Sequence, residues 1–212
     1  MAARRSRDSD RPVKPAANAG LTLYVAANSV ESDWVRLVLA EKEVDAARVT
    51  LVAPGRLDED LAILNPSQSL PTLADREGVL VGAWIIAEYI DERYPHPKLT
   101  PPAPAQRARL RMALRQIENV FFPLAIADGT PAEVRAATQA LQKALAETLD
   151  SAARHFGARG WFLGFDYNLV DCAWAVLLRR LPRTALSARP ALAQYAQRLF
   201  ARPAFRKCFG DK

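Results

Sequence analysis

Apolar positions fall into two kinds of run along the chain: short stretches bounded by turn residues, and longer stretches in which they recur every three to four residues. Leu21–Val25 reads as a first strand, largely apolar as a central strand should be. Ala26–Glu31 reads as a loop. A helix over about Asp33–Lys42 turns Val35, Leu39 and either Val38 or Leu37 inward, with Ser32 or Ser29 placed to cap it. Val44–Leu51 offers a second strand, best over Arg48–Val52. Pro54-Gly55 is a turn, and Leu57–Leu64 a short helix ended by Asn65-Pro66. Pro71–Ala74 and Val79–Val81, joined by the polar Asp75–Gly78, form a hairpin. A helix follows from Ala83 to about Arg93 with Ile86, Ala87 and Ile90 on one face. Pro95-His96-Pro97 stops it, because proline lacks an N–H and restricts the residue before it. The order is β-α-β-α-β-β-α, and its strand–helix–strand opening implies a right-handed crossover.

Beyond a proline-rich linker at Leu99–Pro104 the pattern is helical. Gln106–Leu124 carries Leu110, Leu114, Ile117 and Phe121 as an inward stripe. Pro131 opens another helix as a first-turn proline; it runs to about His155, with Leu141, Leu145 and Leu149 as its stripe. Trp161–Gly164 is an apolar turn. Asn168–Asp171 has the form of a capping box, Asn168 as cap and Asp171 reaching back, with Leu169, Ala173, Val176 and Leu177 inward. Leu181-Pro182 ends that helix, and Ala191–Ala201 and Ala204–Phe209 are the last two. The reading is α+β in three parts: a tail at 1–20, a mixed α/β domain at 21–98 and an all-helical domain at 105–212.

Composition narrows the function classes. Half of the 212 residues are hydrophobic and a quarter charged, as in a soluble globular protein. No apolar run is long enough to span a bilayer, and the Arg-rich start lacks the apolar core of a secretory signal. The two cysteines, Cys172 and Cys208, are far apart, which suits a reducing cytoplasm and argues against a redox dithiol or a zinc site. The two histidines, His96 and His155, exclude a His-rich metal centre. Neither metal nor cofactor is expected. Of the net charge of +6, the first twenty residues hold +3, from Arg4, Arg5, Arg7, Arg11 and Lys14 against Asp8 and Asp10. That tail reads as disordered and solubilising, or as a contact for an acidic partner or nucleic acid. No helix-turn-helix, zinc-finger or RNA-binding signature is present, which argues against direct DNA reading.

The first-half order, with Leu70-Pro71-Thr72-Leu73 before the hairpin, resembles the thioredoxin-like domain of glutathione transferases, and the helical half resembles their second domain. The resemblance implies a cis Pro71 whose neighbour's backbone pairs with a bound tripeptide, and makes the helix at Asn168 the family's buried sixth helix. Val38–Lys42, Leu64–Ser69, Glu88–Pro97 and Leu169–Cys172 are, in that order, similar to the stringent starvation protein A family. That subgroup has the transferase fold and associates with bacterial RNA polymerase. The similarity runs from about Leu21 to Phe209.

Two functions follow from the resemblance. A transferase needs a hydroxyl or thiol near the start of its first helix, to favour the thiolate of glutathione; Ser29 falls at that position and Ser32 three residues on. It also needs the Glu-Ser that grips the γ-glutamyl carboxylate before the third helix. Here those positions are Gly82-Ala83, without a side-chain donor. Losing one or two charge-assisted hydrogen bonds at about 1.5–3 kcal/mol each weakens binding at least tenfold. Ser29, Leu70, Pro71, Gly82 and Ala83 therefore read as a vestigial glutathione site, and Ser29 as a helix-capping serine. The subgroup instead implies a non-catalytic regulator whose patch at Tyr94, Pro95, His96 and Pro97 is needed for transcription activation. Asp91, Glu92 and Arg93 would rim it or be solvated helix-end charges. Arg107, Arg111 and Arg115 form a basic edge that is either solvated or meets acidic groups on the polymerase or across a dimer. The expected partners are RNA polymerase holoenzyme with its sigma factor and a second copy in a two-fold dimer.

Overall fold

In the computed structural model, which describes residues 20–53, 58–125, 129–152, 160–164 and 166–210, the apolar strand Thr22–Ala26 (β1) lies inside a four-stranded sheet. It pairs in parallel with Arg48–Val52 (β2) and antiparallel with Thr72–Ala74 (β3). Strand β3 in turn pairs with Val79–Val81 (β4), giving the order β2-β1-β3-β4. Alternation along β1 serves two cores: Leu23 and Val25 enter the main core, while Tyr24 packs with Val52, Leu61 and Ala74 on the other face. Leu61 comes from the short helix Glu59–Leu64 (α2), whose N-cap is Asp58. The helices Val30–Glu41 (α1) and Ala83–Arg93 (α3) contribute to the main core, α3 through Ile86, Ala87 and Ile90. Asp75 closes the hairpin by accepting from the amides of Glu77 and Gly78. Pro54-Gly55, Leu57, the charged tail, the stretch expected to carry the helix to His155, and the side chain of Leu149 lie outside the described residues.

The second half is helical among the described residues. It comprises Pro104–Gln116 (α4), Pro131–Ala152 (α5), Leu169–Arg179 (α6), Arg183–Ser187 (α7), Pro190–Phe200 (α8) and Pro203–Phe209 (α9). The periodicity predicts one regular helix over 106–124. Instead α4 widens into a π turn at Ile117–Phe121 and tightens into a 3-10 turn at Phe122–Leu124. The change of winding lets two consecutive aromatics both be buried: Phe121 packs on Trp174 of α6 and Phe122 on Trp34 of α1. The apolar pattern does not predict helix α7; five residues are too few to show a period.

Helix α6 is the axis of this half, with every residue from Leu169 to Leu178 buried. Its capping box is formed: Asn168 Oδ1 accepts from Val170 N at 2.9 Å, and Asp171 Oδ2 accepts from Asn168 N at 3.0 Å. Asp171 Oδ1 accepts two more hydrogen bonds, from Phe162 N at 2.9 Å and the Tyr195 hydroxyl at 2.5 Å. The two halves are joined by directed contacts. Leu169 N donates to Leu99 O, the Trp34 indole to Leu169 O, and Arg202 forks onto Glu41 with both bonds at 2.6 Å. No helix among the described residues is long and apolar enough to cross a membrane.

Candidate functional site

Helix α3 separates two candidate sites; its 11 residues span about 16 Å.

At its N-terminal end the sheet register brings together the residues that the sequence reads as a vestigial glutathione site. Tyr24 pairs with Thr72, and Thr72 with Val81. One residue further along, Pro71 and Gly82 come beside the end of β1, from which the loop to Ser29 departs. The Leu70–Pro71 bond is cis. Of the two capping candidates it is Ser29 that caps α1, accepting from Ser32 N at 3.2 Å, while the Ser32 hydroxyl accepts from Ala26 N. The grip across from it is bare. Gly82 precedes α3 at φ +94°, without a side-chain cap, and Ala83 is buried.

Charges of both signs lie around the start of α1. Glu31 in the first turn of α1 is held above the usual carboxylate range by burial and by the nearby charge of Glu118. Glu118, on the π turn, is itself raised by burial. The cations there are already engaged with protein oxygens. Arg180 donates to Asn28 O at 2.7 Å and to Asp33 at 2.9 Å, and Arg179 and Arg36 also reach Asp33, at 3.4 and 3.3 Å. These groups have no apolar period to mark them, and their meeting depends on how the halves pack.

At the C-terminal end of α3 the chain turns outward. Pro95, His96, Pro97 and Lys98 are exposed and Tyr94 is half-buried; His96–Pro97 is a second cis bond. A groove of about 660 Å³ adjoins the patch, lined by Lys98, Pro101, Pro102, Arg109, Leu163 and Tyr167 among others. Beneath the patch lies Lys42, the C-cap residue of α1, with its side chain wholly buried. Its ammonium donates to Tyr94 O at 2.7 Å, to Pro97 O and to the Asp91 carboxylate. Asp91 therefore does not rim the patch: it is 3% exposed, and its Oδ1 also accepts from Leu99 N at 2.8 Å. Glu92 is exposed, while Arg93 turns back to Glu77 at 2.8 Å. Along α4, Arg111 pairs with Glu88 at 2.9 Å, Arg107 donates to Pro102 O, and Arg115 is exposed. The basic edge is thus partly tied to the protein itself. Among the described residues no group of three or more His, Cys, Asp or Glu could hold a metal ion.

Residues 23–98 match the family model "Glutathione S-transferase, N-terminal domain". A glutathione S-transferase structure from Rhodospirillum rubrum F11 superposes with a TM-score of 0.76 over 91% of this chain and 93% of that one, at 21% identity. The fold is that of the glutathione transferases. Within that class, a stringent starvation protein A homolog of Coxiella burnetii is 39% identical over 197 residues, covering 90% of this chain and 92% of its own. A maleylacetoacetate isomerase of Pseudomonas aeruginosa is 30% identical over 203 residues, covering 88% and 94%. The chain belongs to the stringent starvation protein A family.

Proposed function

We propose that this protein is a cytoplasmic, non-catalytic transcription regulator that works as a homodimer through direct contact with RNA polymerase holoenzyme, including its sigma factor, under stress or starvation. The observation that carries the reading is the exposed Pro95-His96-Pro97 patch on a proline-clamped turn. A surface already held in one geometry loses little entropy on binding. Family membership supports the partner. The start of α3, where Gly82 offers no side-chain cap, supports the absence of glutathione chemistry. Dimer formation is supported by exposed apolar groups on both halves, Ile85 of α3 at 60% and Met112 of α4 at 73%, which a two-fold pairing would cover. The test is co-elution of the purified protein with its own holoenzyme, comparing wild type with His96→Ala. Weakened binding in the variant supports the reading, and no binding by the wild type overturns it.

A second reading, a glutathione-dependent transferase or isomerase using Ser29, has two points in its favour. They are the hydroxyl at the start of α1, on the loop beside Pro71, and the likeness to the isomerase of Pseudomonas aeruginosa. Turnover of a chloronitrobenzene substrate with glutathione, lost in Ser29→Ala, would favour it over the regulator.

A further inference from the structure

Lys42 is a lysine without exposed side-chain surface, and the acceptors at its ammonium define one stretch of chain. Around Nζ stand Asp91 Oδ1, Asp91 O at 3.5 Å, Tyr94 O at 2.7 Å and Pro97 O. The ammonium's three N–H groups thus meet four oxygens, all from the end of α3 and the turn after it. Asp91 closes the other side of the turn by accepting from Leu99 N at 2.8 Å. The turn therefore has its carbonyls drawn inward and the side chains of Pro95, His96 and Pro97 outward. The anchor belongs to another helix: Lys42 ends α1, its own amide donating to Val38 O at 3.1 Å. A cation there also suits the partial negative charge at the C-terminus of α3. Burying it is costly unless every N–H is taken up, and here each has an oxygen partner. Nothing in the packing of α1 requires a charge at that position; the carbonyls of the turn do.

We propose that Lys42 is a positioning residue for the contact patch: from α1 it holds Tyr94–Pro97 in the single geometry that a protein partner reads. This rests on the protein-contact function proposed for that patch. Lys42 touches no partner itself and acts through the carbonyls it holds.

Two variants of the full-length chain test this. Lys42→Met keeps the stem and removes the ammonium. Lys42→Met/Asp91→Asn removes both charges, so that no unpaired carboxylate is left buried, and the side-chain amide oxygen introduced at position 91 can still accept from Leu99 N. The loop readout is the imidazole C–H resonance of His96, readily resolved in a chain with two histidines. The fold readout is amide exchange protection of α6, and the function readout is affinity for purified holoenzyme. The expected result in both variants is a shifted or broadened His96 resonance and affinity lower by about tenfold or more, with α6 protection unchanged in the double variant, where no carboxylate is left buried and unpaired. A merely structural lysine would move α6 and leave the His96 resonance of the folded fraction in place. Wild-type resonance and wild-type affinity in the folded double variant would overturn the proposal. If the wild-type protein fails to bind holoenzyme, the contact function falls, and the His96 resonance alone decides whether Lys42 sets the turn.

Discussion

Single groups at this fold's interfaces carry measurable signatures. Glu31 and Glu118 are both held above the usual carboxylate range, first by burial. A carboxyl whose folded-state pKa is raised binds more protons folded than unfolded, so stability falls as pH rises from the unfolded value through the raised one. Glu118→Gln is expected to raise the unfolding temperature at pH 7–8 by about 1–2 °C, with the gain vanishing below about pH 4. Both groups are only half-buried, which keeps the effect small; thermal melts across pH check it. Asp171 is the reverse case in its partners. Burial pushes it up to about 6, yet it serves Asn168 N, Phe162 N and the Tyr195 hydroxyl. Asp171→Ala leaves those buried donors unmet and should cost about 3 kcal/mol or more in urea unfolding. Ser29→Ala removes only a cap, about 1 kcal/mol, and should leave holoenzyme binding unchanged in a co-elution assay.

Among the elements, those with a strong period or a hard stop are legible in the sequence. Strand β4 and helix α3 run over the residues their patterns predict, because Gly82 and the Pro95–Pro97 turn bound α3 on both sides. The capping box at Asn168 is legible from four residues, since it is a local hydrogen-bond pattern. Helix α7 and the π turn after α4 are not. The helix is too short to carry a period, and the cause of the π turn is tertiary: Phe121 and Phe122 each seek a different aromatic partner. Lys42 and Asp91 are instructive. Each continues a buried stripe, Lys42 after Val35 and Val38, and Asp91 after Ala87. The helical period itself therefore puts a cation and an anion on the two faces that meet, while a reading from charge alone sends Asp91 to the rim. The absence of a side-chain donor at Gly82 and Ala83 is legible in the sequence; the meeting of Glu31 with Glu118 is not, because it arises only through the packing of the halves. Exposed Ile85 and Met112 sit on elements from opposite halves. Ile85→Glu or Met112→Glu should convert the proposed two-fold dimer to monomer in sedimentation without unfolding it.

At the scale of the whole molecule, the transferase frame keeps its geometry while its two ends differ in chemistry. One end of α3 starts at Gly82 without a side-chain cap, opposite the Ser29 hydroxyl that caps α1. The other end presents a proline-bounded histidine over a buried ammonium. The measurement that bears most directly on this division is the dissociation constant for purified holoenzyme of the wild type and of the triple variant Pro95→Ala/His96→Ala/Pro97→Ala. The expected result is saturable wild-type binding that weakens about tenfold or more in the triple variant, at an unfolding temperature within a few degrees of wild type. Undiminished binding by a folded triple variant, or no binding by the wild type, would contradict it.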